Sequence, residues 1–152
     1  MANLRGIFII LPAAAMVAIC LFSDPLVALA EKDEDMLFIK YHIHITNDTP
    51  DDMPFRAPNV YLHCKSKNKD VGNRKIAWHE DYHWDTKINY FRTTLFFCYV
   101  WWKSKERYFE AFKATRDEER CRYYHNSCLW SVREDGIYFS NNNATWRNVY
   151  PW

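Results

Sequence analysis

Apolar and polar positions alternate along most of the chain. Leu37, Ile39, Tyr41, Ile43 and Ile45 are separated by Phe38, Lys40, His42 and His44, a period of two that predicts a half-buried strand over 37–45. Val60, Leu62 and Cys64 repeat the pattern, with Tyr61 and His63 facing the other way. From 82 to 88, Tyr82, Trp84 and Ile88 share one side and His83, Asp85 and Lys87 the other. Thr94–Trp102 is apolar on both faces, which predicts a central strand covered on both sides. Arg107–Ala114 fits either a strand or a helical turn, because Tyr108, Phe109 and Phe112 satisfy both periods. Leu129–Val132 and Ile137–Phe139 flank Asp135-Gly136, a tight-hairpin dipeptide, and a last short strand is expected over Trp146–Tyr150.

The intervening stretches carry turn chemistry. Residues 46–58 hold Pro50, Pro54 and Pro58, residues 66–75 are rich in Asn, Lys, Asp and Gly, and Asn141-Asn142-Asn143 marks a further turn. Short strands separated by such turns predict an all-β fold, an antiparallel sandwich or barrel, in one domain spanning 31–152.

Residues 1–30 are expected to lie outside that fold. Arg5 precedes an apolar run from Ile7 to Leu21, Ala28-Leu29-Ala30 offers small residues at a cleavage site, and the charged run Glu31–Asp35 follows. This is the three-part pattern of a secretory signal peptide, with cleavage after Ala30. The apolar run is short for a spanning helix and contains Pro12, so stable membrane insertion is not expected.

Secretion changes the meaning of the cysteines. Cys20 leaves with the signal peptide, and Cys64, Cys98, Cys121 and Cys128 form an even set in an oxidising compartment, which reads as two disulfides. Three pairings are possible. Position favours Cys64–Cys98, since both face the core from strands, with Cys121–Cys128 flanking a short loop. Twenty Lys+Arg against 19 Asp+Glu leave a formal charge of +1, which argues against nucleic acid as a partner. Three glycines, far apart, exclude a Gly-rich phosphate loop.

Some motifs suggest chemistry. His79-Glu80-Asp81-Tyr82-His83 matches the H-E-x-x-H zinc-protease pattern, but that chemistry needs a helix, and the alternation beyond Tyr82 predicts a strand. In a strand the two histidines would stand about 13 Å apart, too far for one metal. His42 and His44 could share a metal on a strand face, with His63 on a neighbour, but a polar, solvent-facing sheet edge is the favoured reading. No catalytic residues, metal ligands or cofactor are assigned; a metal-binding protein or hydrolase using His79/His83 or His42/His44 is the alternative reading. The seven tryptophans could form a sugar platform, but Trp101, Trp102 and Trp130 fall within strands and are expected in the core. Asn47-Asp48-Thr49 and Asn143-Ala144-Thr145 are sequons in turns, which makes Asn47 and Asn143 candidate glycosylation sites.

Several segments together carry a family resemblance. His42–Asp48, Leu62–Lys67, Thr93–Trp102, Arg120-Cys121 and Cys128–Ser140 resemble the plant self-incompatibility S-proteins and their homologues, over Tyr41 to Trp152. The chain departs from that pattern at Arg92, at His79-Glu80-Asp81 and at Lys103–Glu106, where the family tends to carry glycine or Pro-Gly. The resemblance implies a small secreted plant protein with a β-sandwich fold. In poppy, the pistil member is a ligand for a pollen receptor and triggers rejection of self pollen. By this resemblance the chain is expected to be a monomeric extracellular signalling ligand, not an enzyme, with a cell-surface receptor as its partner. Recognition is expected in two oppositely charged, adjacent loops: Asp48, Asp51 and Asp52 in one, Lys65, Lys67, Lys69, Arg74 and Lys75 in the other.

Overall fold

A computed structural model describes residues 39–51 and 59–152. Residues 1–30, expected to be a signal peptide, and Leu37, Phe38, Asp52, Pro54 and Pro58 therefore lie outside the described residues. In chain order the elements are β1 (Lys40–Asn47), β2 (Val60–Lys65), β3 (Asp70–Ile76), β4 (Asp81–Lys87), β5 (Leu95–Trp102), β6 (Lys105–Lys113), α1 (Ala114–Arg120), β7 (Ser127–Arg133), β8 (Gly136–Ser140) and β9 (Arg147–Pro151). They form a five-stranded sheet in the order β4-β1-β7-β8-β9 and a four-stranded sheet in the order β3-β2-β5-β6. Neighbours run antiparallel except β1 and β7, which pair in parallel from His42↔Ser127 to Asn47↔Val132. The fold class is the expected β-sandwich.

Alternation puts one face of each sheet into a shared core. β1 contributes Tyr41, Ile43 and Ile45, and β2 contributes Val60, Leu62 and Cys64, all nearly without exposure. Rings join the layers: Tyr41 meets Phe112 at 5.3 Å, Trp84 meets Phe96 at 5.8 Å, and Phe109 packs edge-on to Trp130 at 5.0 Å. The buried Trp130 indole N–H donates to the Ala111 carbonyl (2.8 Å), so a polar atom also ties the sheets together. Cys64–Cys98 links register partners on β2 and β5, and Cys121–Cys128 links the end of α1 to β7.

Three features differ from the sequence reading or settle it. Asp70–Ile76, read as turn, is the edge strand β3; all but Ile76 is polar, glycine or partly exposed, so no alternation announced it. A polar edge also discourages pairing with other chains. The ambiguous 107–114 segment is strand through Lys113 and then turns into α1. There the fully buried Asp117 carboxylate accepts from the Lys113 N–H (2.7 Å) and from Arg116 (2.9 Å), with Arg120 also paired to it. Charge pairing and backbone bonds together make this buried carboxylate tolerable. Finally, β5 is central but not covered on both faces. Trp101, expected in the core, is 38% exposed, and Tyr99 stacks against it on the same outer face. A two-layer sandwich buries only one face of each sheet.

Three of the turns carry backbone strain. His79, Arg92 and Lys103 have φ of 58°, 54° and 55°, in the left-handed region that non-glycine residues rarely adopt. Gly136 opens β8 one residue beyond the two-residue β7–β8 turn. A Cβ there would stand 2.6 Å from the Tyr150 carbonyl oxygen and 2.9 Å from the Pro151 Cα, so the approach of β9 requires glycine.

Candidate functional site

Among the described residues, Asp48 and the lysines of the β2–β3 hairpin lie at two ends of the sandwich. At one end the β2–β3 hairpin turns through Ser66–Lys69, closed by the Ser66 N–H donating to the Lys69 carbonyl (2.7 Å) and by the Lys69 N–H donating to Ser66 Oγ (3.0 Å). The hairpin borders a cleft of about 840 Å³ with Lys65, Lys67, Lys69 and Lys87 on its walls and Phe96 and Phe97 on its apolar side. Among the described residues no carboxylate side chain lines it. Lys69 Nζ is held by the Asp85 carbonyl at 3.3 Å, and Lys65 Nζ lies 5.6 Å from the Phe97 ring centre. Hydroxyl and amide groups of Ser66, Thr93 and Asn89 add neutral hydrogen-bonding capacity. A field of one sign over a partly apolar wall favours an anionic, partly apolar ligand.

Arg74 and Lys75 do not belong to that loop. Both are on β3, with Arg74 over the Tyr82 ring (5.1 Å) and Lys75 6.0 Å from the Tyr61 ring centre. Nor is Asp48 adjacent to it. Asp48 follows the end of β1, whereas the basic hairpin reaches Asp85, which pairs with His42 near the beginning of β1. Five to six residues of strand, about 20 Å, separate the two ends. Asp48 is also committed to the fold: it accepts from Ser131 Oγ at 2.5 Å and meets His79 Nδ1 at 3.2 Å. Asp51 is exposed.

The two sequons differ in the same way. Asn47 has no exposed surface, and its Nδ2, the atom that would carry a glycan, donates to the Ile76 carbonyl at 3.1 Å. Its Oδ1 accepts from the N–H and hydroxyl of Thr49, itself 1% exposed. A glycan on Asn47 is incompatible with this fold, which removes Asn47 from the candidate glycosylation sites. Asn143 stands exposed in the turn after β8, so a glycan there meets no packed surface.

The histidines sort by register. The outer face of β1 and β4 reads Lys40, His42, His44 and Thr46 opposite Lys87, Asp85, His83 and Asp81. His42 Nδ1 meets Asp85 at 2.6 Å, and this hydrogen bond is the main cause that holds the Asp85 carboxyl below the usual carboxylate range. His44 Nδ1 meets Asp81 Oδ2 at 2.7 Å, and His83 Nδ1 lies 3.5 Å from the same oxygen. His63 is in the other sheet, on β2, paired with Asp70 at 2.9 Å, so it does not join His42 and His44. That bond and the Gly72 N–H hold the Asp70 carboxyl low. The H-E-x-x-H segment is not helical: His79 and Glu80 form the turn, where Glu80 accepts from the Ala77 N–H (2.7 Å), and Asp81 opens β4. The juxtaposition missed from sequence is His44 with His83 and Asp81; cross-strand register, not spacing along the chain, creates it.

A disulfide-linked two-sheet sandwich with an aromatic core and short, polar-tipped turns defines the class: a small scaffold that displays loops. The family follows from comparison. Residues 42–152 match the model of Plant self-incompatibility protein S1, and the chain belongs to that family. S-protein homolog 18 of Arabidopsis thaliana is 40% identical over 97 residues, 62% of this chain and 69% of that protein. Self-incompatibility protein S1 of Papaver rhoeas is 29% identical over 92 residues, 59% of this chain and 64% of that one. A solved SPH (self-incompatibility protein homologue) structure shares the fold with a TM-score of 0.54 at 20% identity, covering 74% of this chain and 94% of its own. It is described as one of a widespread family of small, highly stable, secreted proteins from plants.

Proposed function

We propose that the mature chain is secreted, begins at Glu31, and acts as an extracellular signalling ligand that binds an anionic surface of a cell-surface receptor through the basic cleft. The observation that carries this reading is the cleft itself: four lysines converge on an apolar wall with no carboxylate side chain among the lining residues. Membership of a family whose poppy relative is named for self-incompatibility supports the signalling class. Rejection of self pollen, or related signalling between cells, is the process this reading points to. The rigid sandwich holds the hairpin in its binding shape, which lowers the ordering cost of association. Charge of one sign mainly raises the rate of encounter and selects the partner.

The test is a double reversal, Lys67→Glu with Lys69→Glu, against Asp51→Lys at the other end. Fold integrity is checked first by circular dichroism. Binding of labelled protein to plant cells should fall at least about ten-fold in the lysine variant and hold in the Asp51 variant. Equal binding by the lysine variant and the parent refutes the cleft as the contact. A parent that binds no cell surface yet turns over a substrate refutes the ligand class in favour of an enzyme.

A further inference from the structure

We propose that His44, Asp81 and His83 form a surface site for a divalent transition cation, zinc or copper(II). The three residues meet through the sheet. His44 on β1 and His83 on β4 are register partners, and Asp81 lies two residues before His83, hence on the same face. The two imidazole rings stack with centres 5.1 Å apart. Both Nδ1 atoms lie near one carboxylate oxygen, at 2.7 and 3.5 Å, and one ligand atom from each of the three residues falls within 4.8 Å of the others. Tetrahedral coordination at the usual zinc–ligand distances needs donors about 3.4 Å apart. Opening the 2.7 Å His44–Asp81 contact by about 0.7 Å and an ångström-scale movement of the exposed His83 ring bring the three donors to that spacing.

The donor set chooses the metal. Two imidazole nitrogens and one carboxylate oxygen suit zinc or copper and not magnesium or calcium, which take oxygen donors. The orientation is partly preset. Thr46 Oγ1 donates to Asp81 Oδ1 at 3.4 Å, leaving Oδ2 towards the imidazoles, the outer-shell arrangement that aims metal-binding carboxylates. His42 is held by Asp85 and stays out of the set. Three protein donors on an exposed face leave the remaining coordination positions to water. The site lies on the outer face of the five-stranded sheet, and the receptor reading does not depend on it.

Titration of untagged mature protein with zinc chloride and, separately, copper(II) chloride by isothermal calorimetry tests the site. One equivalent should bind, and the ring resonances of His44 and His83 should shift in the NMR spectrum while those of His63 and His125 hold still. His44→Ala and His83→Ala should each weaken binding at least ten-fold, by analogy with the roughly 10–100-fold loss seen even for outer-shell partners. His79→Ala should bind within about two-fold of the parent, and magnesium should not bind. Asp81→Asn, nearly isosteric, gives the same readout if an alanine variant misfolds. No binding of either metal below about 1 mM refutes the site, as does undiminished affinity in both histidine variants. A loss confined to His79→Ala places the metal at His79, away from His44 and His83, and overturns the proposal.

Discussion

Replacing Asn47 by Ala is the substitution whose cost the structure defines most fully. The side chain sits at the corner where β1 ends, with no exposed surface, and spans both sheets by donating to Ile76 on β3. Its Oδ1 also accepts the Thr49 N–H (3.1 Å) and hydroxyl (2.7 Å). Truncation leaves the Ile76 carbonyl and the Thr49 N–H without this partner in residues each 1% exposed, where water cannot replace it. The Thr49 hydroxyl can rotate away, so the two buried groups that lose this partner, at about 1–3 kcal/mol each, set the scale, near 4 kcal/mol in total. That is a large share of the roughly 5–15 kcal/mol available to a domain. Guanidinium unfolding followed by tryptophan fluorescence measures it directly, and the melting temperature should fall by about 15 °C. Asn47→Asp separates the two ends of the amide. The acceptor survives, but an ionised carboxylate would face the Ile76 carbonyl in a buried site, so its folded pKa must rise. The loss should therefore be smallest at pH below the ordinary carboxylate value, where the acid can donate, and grow as pH rises towards the folded pKa. An Asn47→Ala variant within 1 kcal/mol of the parent, about the scale of one ordinary hydrogen bond, would refute the reasoning.

The remaining predictions concern cross-links, a close approach and a titration. Loop closure over sequence separations of 34 and 7 residues predicts that losing Cys64–Cys98 costs about 4 kcal/mol and losing Cys121–Cys128 about 2 kcal/mol. Double alanine variants compared by denaturant unfolding check the order, and a larger loss at the shorter loop contradicts it. Gly136→Ala must push β9 away from β8 and should destabilise by about 2–3 kcal/mol in the same assay; an unchanged midpoint contradicts the close approach. The Tyr138 hydroxyl, donating at 2.6 Å, is the chief cause that holds the Asp135 carboxyl low. The small stability this exposed pair supplies is present above the ordinary carboxylate pKa and is lost as pH falls through the lowered folded value. In Tyr138→Phe the Asp135 carboxyl should titrate at higher pH by NMR, and an unmoved titration contradicts the assignment.

The sequence by itself determined the features that one-sided burial writes into a local period. Tyr41, Ile43 and Ile45 must face one way because residues two apart on a strand do so; the same logic located β2 and β4, and an unbroken apolar run located β5. The four cysteines beyond Cys20 announced a cross-linked domain, and the scattered segments of the S-protein pattern announced the family. Tertiary structure decided what depends on partners distant in the chain. β3 is a strand because β2 pairs with it, and an exposed edge leaves no hydrophobic rhythm to read. α1 rests on a buried Asp117 held by Arg116 and Arg120, side chains that in sequence look like an ordinary charged surface. Register alone set His44 against His83, and sheet assignment alone moved His63 away from both. The direction of β1 likewise put Asp48 and the lysine hairpin at opposite ends, although only residues 49–59 and β2 separate them in the chain. A single strand's period is blind to such choices, because every register that preserves inward and outward faces satisfies it equally; the packing of the whole sandwich selects one.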